Sequence, residues 1–168
     1  MLKNQNGILK IGSKLILFLF HHIIYMVKYK IREEDEDLVE EFINRSLNDH
    51  MRFTRDESTL KNNIRIGKLG EIAYKAYAGD NISEIDWKPI PQPGPDFRSI
   101  DGTGIQVKTI AEDARWCTFY NWNFDTLAVL RMNGDLIELV GEFDLEFLKG
   151  IAKKSNFKGW YIDPVKCV

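Results

Sequence analysis

The stretch "LAVLRMNGDLIELV", Leu127 to Val140, sets two apolar runs on either side of Asn133-Gly134. An Asn-Gly pair between such runs suits the type I′ turn that matches the natural twist of paired strands, so Leu127–Met132 and Leu136–Val140 are expected to form an antiparallel hairpin. Further short strand candidates precede it: Ile82 to Ile90, interrupted by Trp87 and Pro89, then Asp96 to Ile100, Ile105 to Ile110 and Trp116 to Trp122. Helical spacing appears on both sides of this block. Leu38, Val39, Phe42, Ile43 and Leu47 line one stripe between Asp37 and His50, and Ile66, Leu69, Ala73, Tyr74 and Tyr77 line another between Asn63 and Ala78, closed by Gly79-Asp80. A last helix is expected from Asp144, its cap, to Lys154, with Leu145, Leu148 and Ile151 inward, followed by a strand or ordered tail in "FKGWYIDP". The class is α/β.

A chain of 168 residues, 44% hydrophobic, can bury one real core, so a single domain is expected over residues 26–168. The formal net charge of −2 excludes a protein that is basic all over and coats nucleic acid, and leaves a local basic patch open. Cys117 and Cys167 lack CxxC spacing, and His21, His22 and His50 form no ligand cluster with them. That pattern argues against zinc and for a reducing cytoplasm. The run of thirteen from Leu15 to Val27, apolar but for His21 and His22, is shorter than the ~18 residues a membrane span needs and lacks a small-residue cleavage site. Residues 1–25 are therefore either an apolar anchor or a leader upstream of a start at Met26. The second reading is preferred, and no membrane partner is expected.

Three polar residues interrupt the strands of "PGPDFRSIDGTGIQVKT": Asp96, Gln106 and Lys108. Strand side chains alternate, so Gln106 and Lys108 share a face. Asp96 joins them only if the intervening loop is of odd length, pairing 96 with 106 about Asp101 or with 108 about Gly102. An acid, an amide oxygen and a backbone carbonyl together suit a hard cation such as Mg²⁺, with a lysine beside it to steady phosphate charge. A partly exposed Asp–Lys cross-strand pair with Gln106 on an edge is the plainer reading, and the two strands by themselves leave both open. Glu71 and Lys75, four apart on the second helix, read on their own as a surface ion pair.

Taken in order, Glu71 in "GKLGEIAYKAY", Asp96 in "PGPDF", and Gln106 and Lys108 in "IQVKT" resemble the PD-(D/E)XK nuclease superfamily over about Ile64 to Val140. The resemblance implies a restriction endonuclease-like core, a central mixed β-sheet flanked by helices, and metal-dependent hydrolysis of DNA phosphodiesters. It implies that Asp96, Gln106, the Val107 carbonyl and Glu71 hold Mg²⁺ or Mn²⁺, and that Lys108 positions the nucleophile. Gln106 departs from the acid many members carry there, which removes one charge from the metal site and keeps open a noncatalytic member of the same fold that binds nucleic acid or protein. A DNA substrate would be recruited by Lys68, Lys75, Arg98 and Arg115. Cutting both strands of a duplex would call for a homodimer or a partner protein. Trp116, Thr118, Tyr120 and Trp122 alternate, and are expected to form a sheet face packed under a helix. A third class keeps Leu15–Val27 as a functional membrane segment and the polar cluster as structural.

Overall fold

In the computed structural model, residues 28–50, 56–89, 94–156 and 158–167 are described. The apolar run Leu15–Val27 lies outside them, as does the leader-or-anchor question. The first strand, β1 (Lys28–Lys30), runs into helix α1 (Glu33–His50). Four acids, Glu33 to Glu36, occupy the first turn, where the helix dipole favours negative charge, so the helix begins four residues before the expected Asp37. Asp35, 1% exposed, accepts from the Arg32 backbone N–H at 2.9 Å and from the Tyr29 hydroxyl at 2.7 Å. The helix start is thereby capped and tied to β1.

Helix α2 (Glu57–Ala78) also starts earlier than its apolar stripe. Asp56 explains this: its carboxylate caps the helix by accepting from Thr59 N at 2.9 Å and Thr59 Oγ1 at 2.6 Å. Gly79, at φ 61°, ends the helix and donates its N–H to the Lys75 carbonyl. Leu69, Ile72, Ala73 and Tyr74 are buried, and so are Val39, Phe42 and Ile43 of α1. Leu38 departs from the expected stripe, at 51% exposed.

Strands β2 (Phe97–Arg98), β3 (Gly104–Ala111), β5 (Thr126–Asn133) and β6 (Leu136–Asp144) join β1 in a mixed sheet of order β1-β6-β5-β3-β2. Only β3 and β5 run parallel; the other neighbours are antiparallel. Ile105 and Val107 of β3 face α1 and α2 in one core, with Leu69, Tyr74, Phe97, Ala128 and Leu130. Ile110 faces the other way, into a second core with Leu127, Val129, Phe143 and Leu148 of helix α3 (Leu145–Ile151). Strand β5 thus contributes to both cores, which accounts for its near-continuous apolar sequence.

The second core is closed by a three-stranded sheet of β4 (Cys117–Phe119), β8 (Trp160–Ile162) and β7 (Lys153–Lys154), in the order β4-β8-β7. Cys117, Phe119 and Ile162 are its inward residues. The architecture is α/β, a mixed sheet with helices against it.

Four expectations need correction. The last helix stops at Ile151, three residues short of Lys154, and Lys153–Lys154 pairs into a strand instead. Ile82–Ile90 forms no strand among the described residues beyond one bridge, Ile82 to Ser99, and Lys88 N bonds to Asp86 Oδ1 in a local turn instead. The β5–β6 turn pairs Asn133 with Leu136, so Gly134 and Asp135 are its central residues. Only Gly134 has positive φ (59°), which excludes type I′, where both central residues need it. In β4 the opposite parity is buried: Trp116 is 45% and Tyr120 64% exposed, because Cys117 and Phe119 already fill the inner face. Among the described residues, no helix is long and apolar enough to cross a membrane.

Candidate active site

Phe97 pairs with Ile105 and Arg98 with Gly104, so the register centres on Asp101 and brings Asp96 level with Gln106. This is one of the two odd-loop registers the alternation allowed. Gly102, at φ 90°, supplies the positive φ in the loop, and Asp101 accepts from Ser99 Oγ and from Thr103 N at 3.1 Å. On the far side, Gly104 N donates to Asp125 Oδ2 at 2.7 Å and Asp125 N to Gly104 O at 2.8 Å, which anchors the start of β3 to the start of β5.

Asp96 Oδ2 accepts from the Gln106 side-chain amide and from Val107 N at 2.7 Å. In an extended strand the carbonyl leaves on the same side as its residue's N–H, so the Val107 carbonyl faces the edge where β2 has already ended. Glu71 comes from α2, on the opposite side of the sheet from Gln106. Since β2 is two residues long and stands at the sheet edge, it raises no barrier between the two faces there.

Charge links Glu71, Asp96 and Lys108. Burial pushes the Glu71 carboxyl up to about 7; Lys68 opposes this, the charge of Asp96 adds to it, and Lys108 opposes it. The Asp96 carboxyl is also raised, first by burial, against the Val107 N–H bond and the charges of Lys108 and Lys68. Glu71 and Asp96 each feel the charges of both Lys68 and Lys108, and Glu71 feels that of Asp96.

Its donor set is all oxygen. Among the described residues, Asp96 Oδ1, Gln106 Oε1 and Glu71 Oε1 accept no hydrogen bond. With the Val107 carbonyl they are oxygens of the type a hard cation takes. No group of three His, Cys, Asp or Glu side chains able to hold a metal occurs among the described residues, so such a seat would rest on two carboxylates with the amide and carbonyl.

Of the basic residues named from the sequence, Lys68 is ion-paired to Glu71 at 2.7 Å and bonded to the Asp86 carbonyl at 2.8 Å, with both side chains 14% exposed. Its ammonium lies 5.0 Å from the Phe42 ring centroid and 5.7 Å from that of Trp87. Lys75 does not pair with Glu71; it bonds to the Ile82 carbonyl and to Glu84, both at 3.0 Å. Arg98 is exposed, with Nη1 3.3 Å from the Gly102 carbonyl, and Arg115 pairs with Asp163 at 3.0 Å. Sequence reading missed the partners of Lys68, because Phe42, Asp86 and Trp87 come from remote loops and helices with no shared periodicity. Comparison with models of known protein families finds no match, and comparison with curated proteins finds none either.

Proposed function

We propose that the chain is a metal-dependent DNA endonuclease with a restriction endonuclease-like core, its site formed by Glu71, Asp96, Gln106 and Lys108. The observation that carries this reading is the meeting of Asp96 with Gln106 and Val107 at the end of a two-residue edge strand, inside the field of Glu71 and Lys108. An acid-bearing helix, then an Asp-headed strand, then an antiparallel strand with polar residues two apart supports the core assignment.

Asp96, Gln106 through its Oε1, the Val107 carbonyl and Glu71 would hold Mg²⁺ or Mn²⁺. The cation supplies acidity to water and shields phosphate charge. Lys108 has no ion pair or hydrogen bond among the described residues, so its ammonium is free to donate to a phosphate oxygen and to orient the attacking water. Val107 N–H keeps Asp96 aimed. Lys68 holds Glu71 by one oxygen and leaves the other for the site.

The test is cleavage of supercoiled plasmid and single-stranded DNA in Mg²⁺ and Mn²⁺ by wild type, Asp96→Ala and Lys108→Ala, with folding checked by circular dichroism. Metal-dependent cleavage by wild type, lost in both folded variants, is expected. Equal cleavage by all three would sink the assignment.

A second reading, a noncatalytic member of the same fold that holds nucleic acid or protein, is favoured by one observation. Both acids have internal partners: Gln106 donates to Asp96, and Lys68 to Glu71. An uncharged Gln106 also leaves the seat one charge short. Gln106→Glu separates the two readings, since it strengthens cleavage on the first and creates none on the second.

A further inference from the structure

The three-stranded sheet has an outer face that the cores do not use. In its register Thr118 lies opposite Tyr161, and Tyr161 opposite Lys153, so these three share that face. The Trp116 ring meets Tyr161 edge-on at 5.1 Å, and the Arg115 guanidinium lies 4.6 Å from the Trp116 ring centroid. Tyr120, at 64% exposed, continues the same parity. Gly159, at φ 88°, lets Tyr120 lie over the turn into β8: a Cβ there would stand 2.9 Å from Tyr120 Cδ1 and 2.4 Å from the Phe119 carbonyl. Two exposed aromatic side chains thus stand on a rigid sheet.

Charge points the same way. The chain as a whole is net −2, yet residues 149–167 hold five lysines and one acid, Asp163. Lys153, Lys154 and Lys158 are exposed and pair with no acid among the described residues, whereas Asp163 is held by Arg115. The strand behind the face, β4, packs against β3, which carries Gln106 and Lys108.

We propose that this face is a stacking platform for single-stranded DNA, with Trp116 and Tyr120 taking bases and Lys153 a phosphate. It rests on the nuclease reading for its choice of DNA, and it assigns that enzyme a single strand, or a strand splayed from a duplex, as the substrate it grips. Aromatic rings stack on any base and lysines meet any phosphate, so the grip is insensitive to sequence and sensitive to salt.

The experiment is fluorescence anisotropy of a labelled single strand of about 20 nucleotides, long enough for a site of this kind. The full chain is titrated in EDTA, where no metal-dependent cleavage occurs, so binding is read apart from the nuclease reading. Trp116→Ala and Tyr120→Ala are each expected to weaken binding about tenfold, the scale of one base–aromatic stack. Lys153→Gln is expected to lower the log–log salt slope by about 0.7. All of these positions are exposed, so the variants are expected to fold. Absence of single-strand binding, affinity unchanged in both aromatic variants, equal or tighter binding of duplex, or tenfold tighter binding of an equal RNA strand would each overturn the proposal. So would an aromatic-dependent association with a protein in a chain that ignores DNA.

Discussion

At Glu71 burial outweighs ion pairing. Its carboxyl titrates near 7 in the fold against an ordinary 4.5, because the cost of burying its charge exceeds what Lys68 returns. The folded state therefore keeps this proton between about pH 4.5 and 7 while the unfolded chain has lost it, so stability falls as pH rises through that window, by at most about 3 kcal/mol. Below 4.5 both states are protonated and the penalty vanishes; above 7 it is fully present. Urea denaturation of wild type between pH 4.5 and 8 is expected to show this decline, and Glu71→Gln to flatten it. The comparison is of slopes, since Gln leaves the buried Lys68 without its ion-pair partner and costs stability at every pH. Parallel slopes in the two proteins would contradict the assignment of the proton to Glu71.

How closely α2 approaches β3 decides where Glu71 stands. Gly70, the preceding residue, lies against Thr109 of β3: an alanine Cβ there would fall 1.7 Å from Thr109 Oγ1 and 3.0 Å from its Cβ. Rotation of Thr109 can clear the hydroxyl, but its Cβ is fixed to the strand, so the helix must move back. Gly70→Ala is expected to cost about 1–3 kcal/mol and to displace Glu71, reducing any metal-dependent cleavage in a chain that still folds. One turn earlier, Gly67 has nothing within 4 Å of such a Cβ, and Gly67→Ala is expected to stabilise by about 0.5–1 kcal/mol. Equal effects from the two alanines would show that helix propensity, not close approach, governs this element. The helices and the β5–β6 hairpin were legible in sequence because each depends on neighbours within a few residues, whereas the parity of the Asp96 loop was left open. The face buried in β4 was not, since it depends on Ile162 and Phe143, far away in the chain.

Across the whole molecule, the two cores share β5 and β3, and the candidate site lies at the edge where β2 stops short. Gln106 and Lys108 could be grouped from alternation alone, whereas Asp96 joined them only through the β2–β3 register. The role of Lys68 could not, because what holds it, Phe42, Asp86 and Trp87, is assembled only by folding. Nor could the unpaired lysines of β7 be told from paired ones, although their crowding at one end of an acidic chain was visible. The account stands on the claim that the Asp96–Gln106 locus seats a divalent cation. Mn²⁺ binding to the full chain, followed by electron paramagnetic resonance, tests it without a nucleic acid present. Saturable binding in wild type, lost in Asp96→Asn and tightened in Gln106→Glu, is the predicted result; Mn²⁺ binding that is absent, or indifferent to both substitutions, would contradict it.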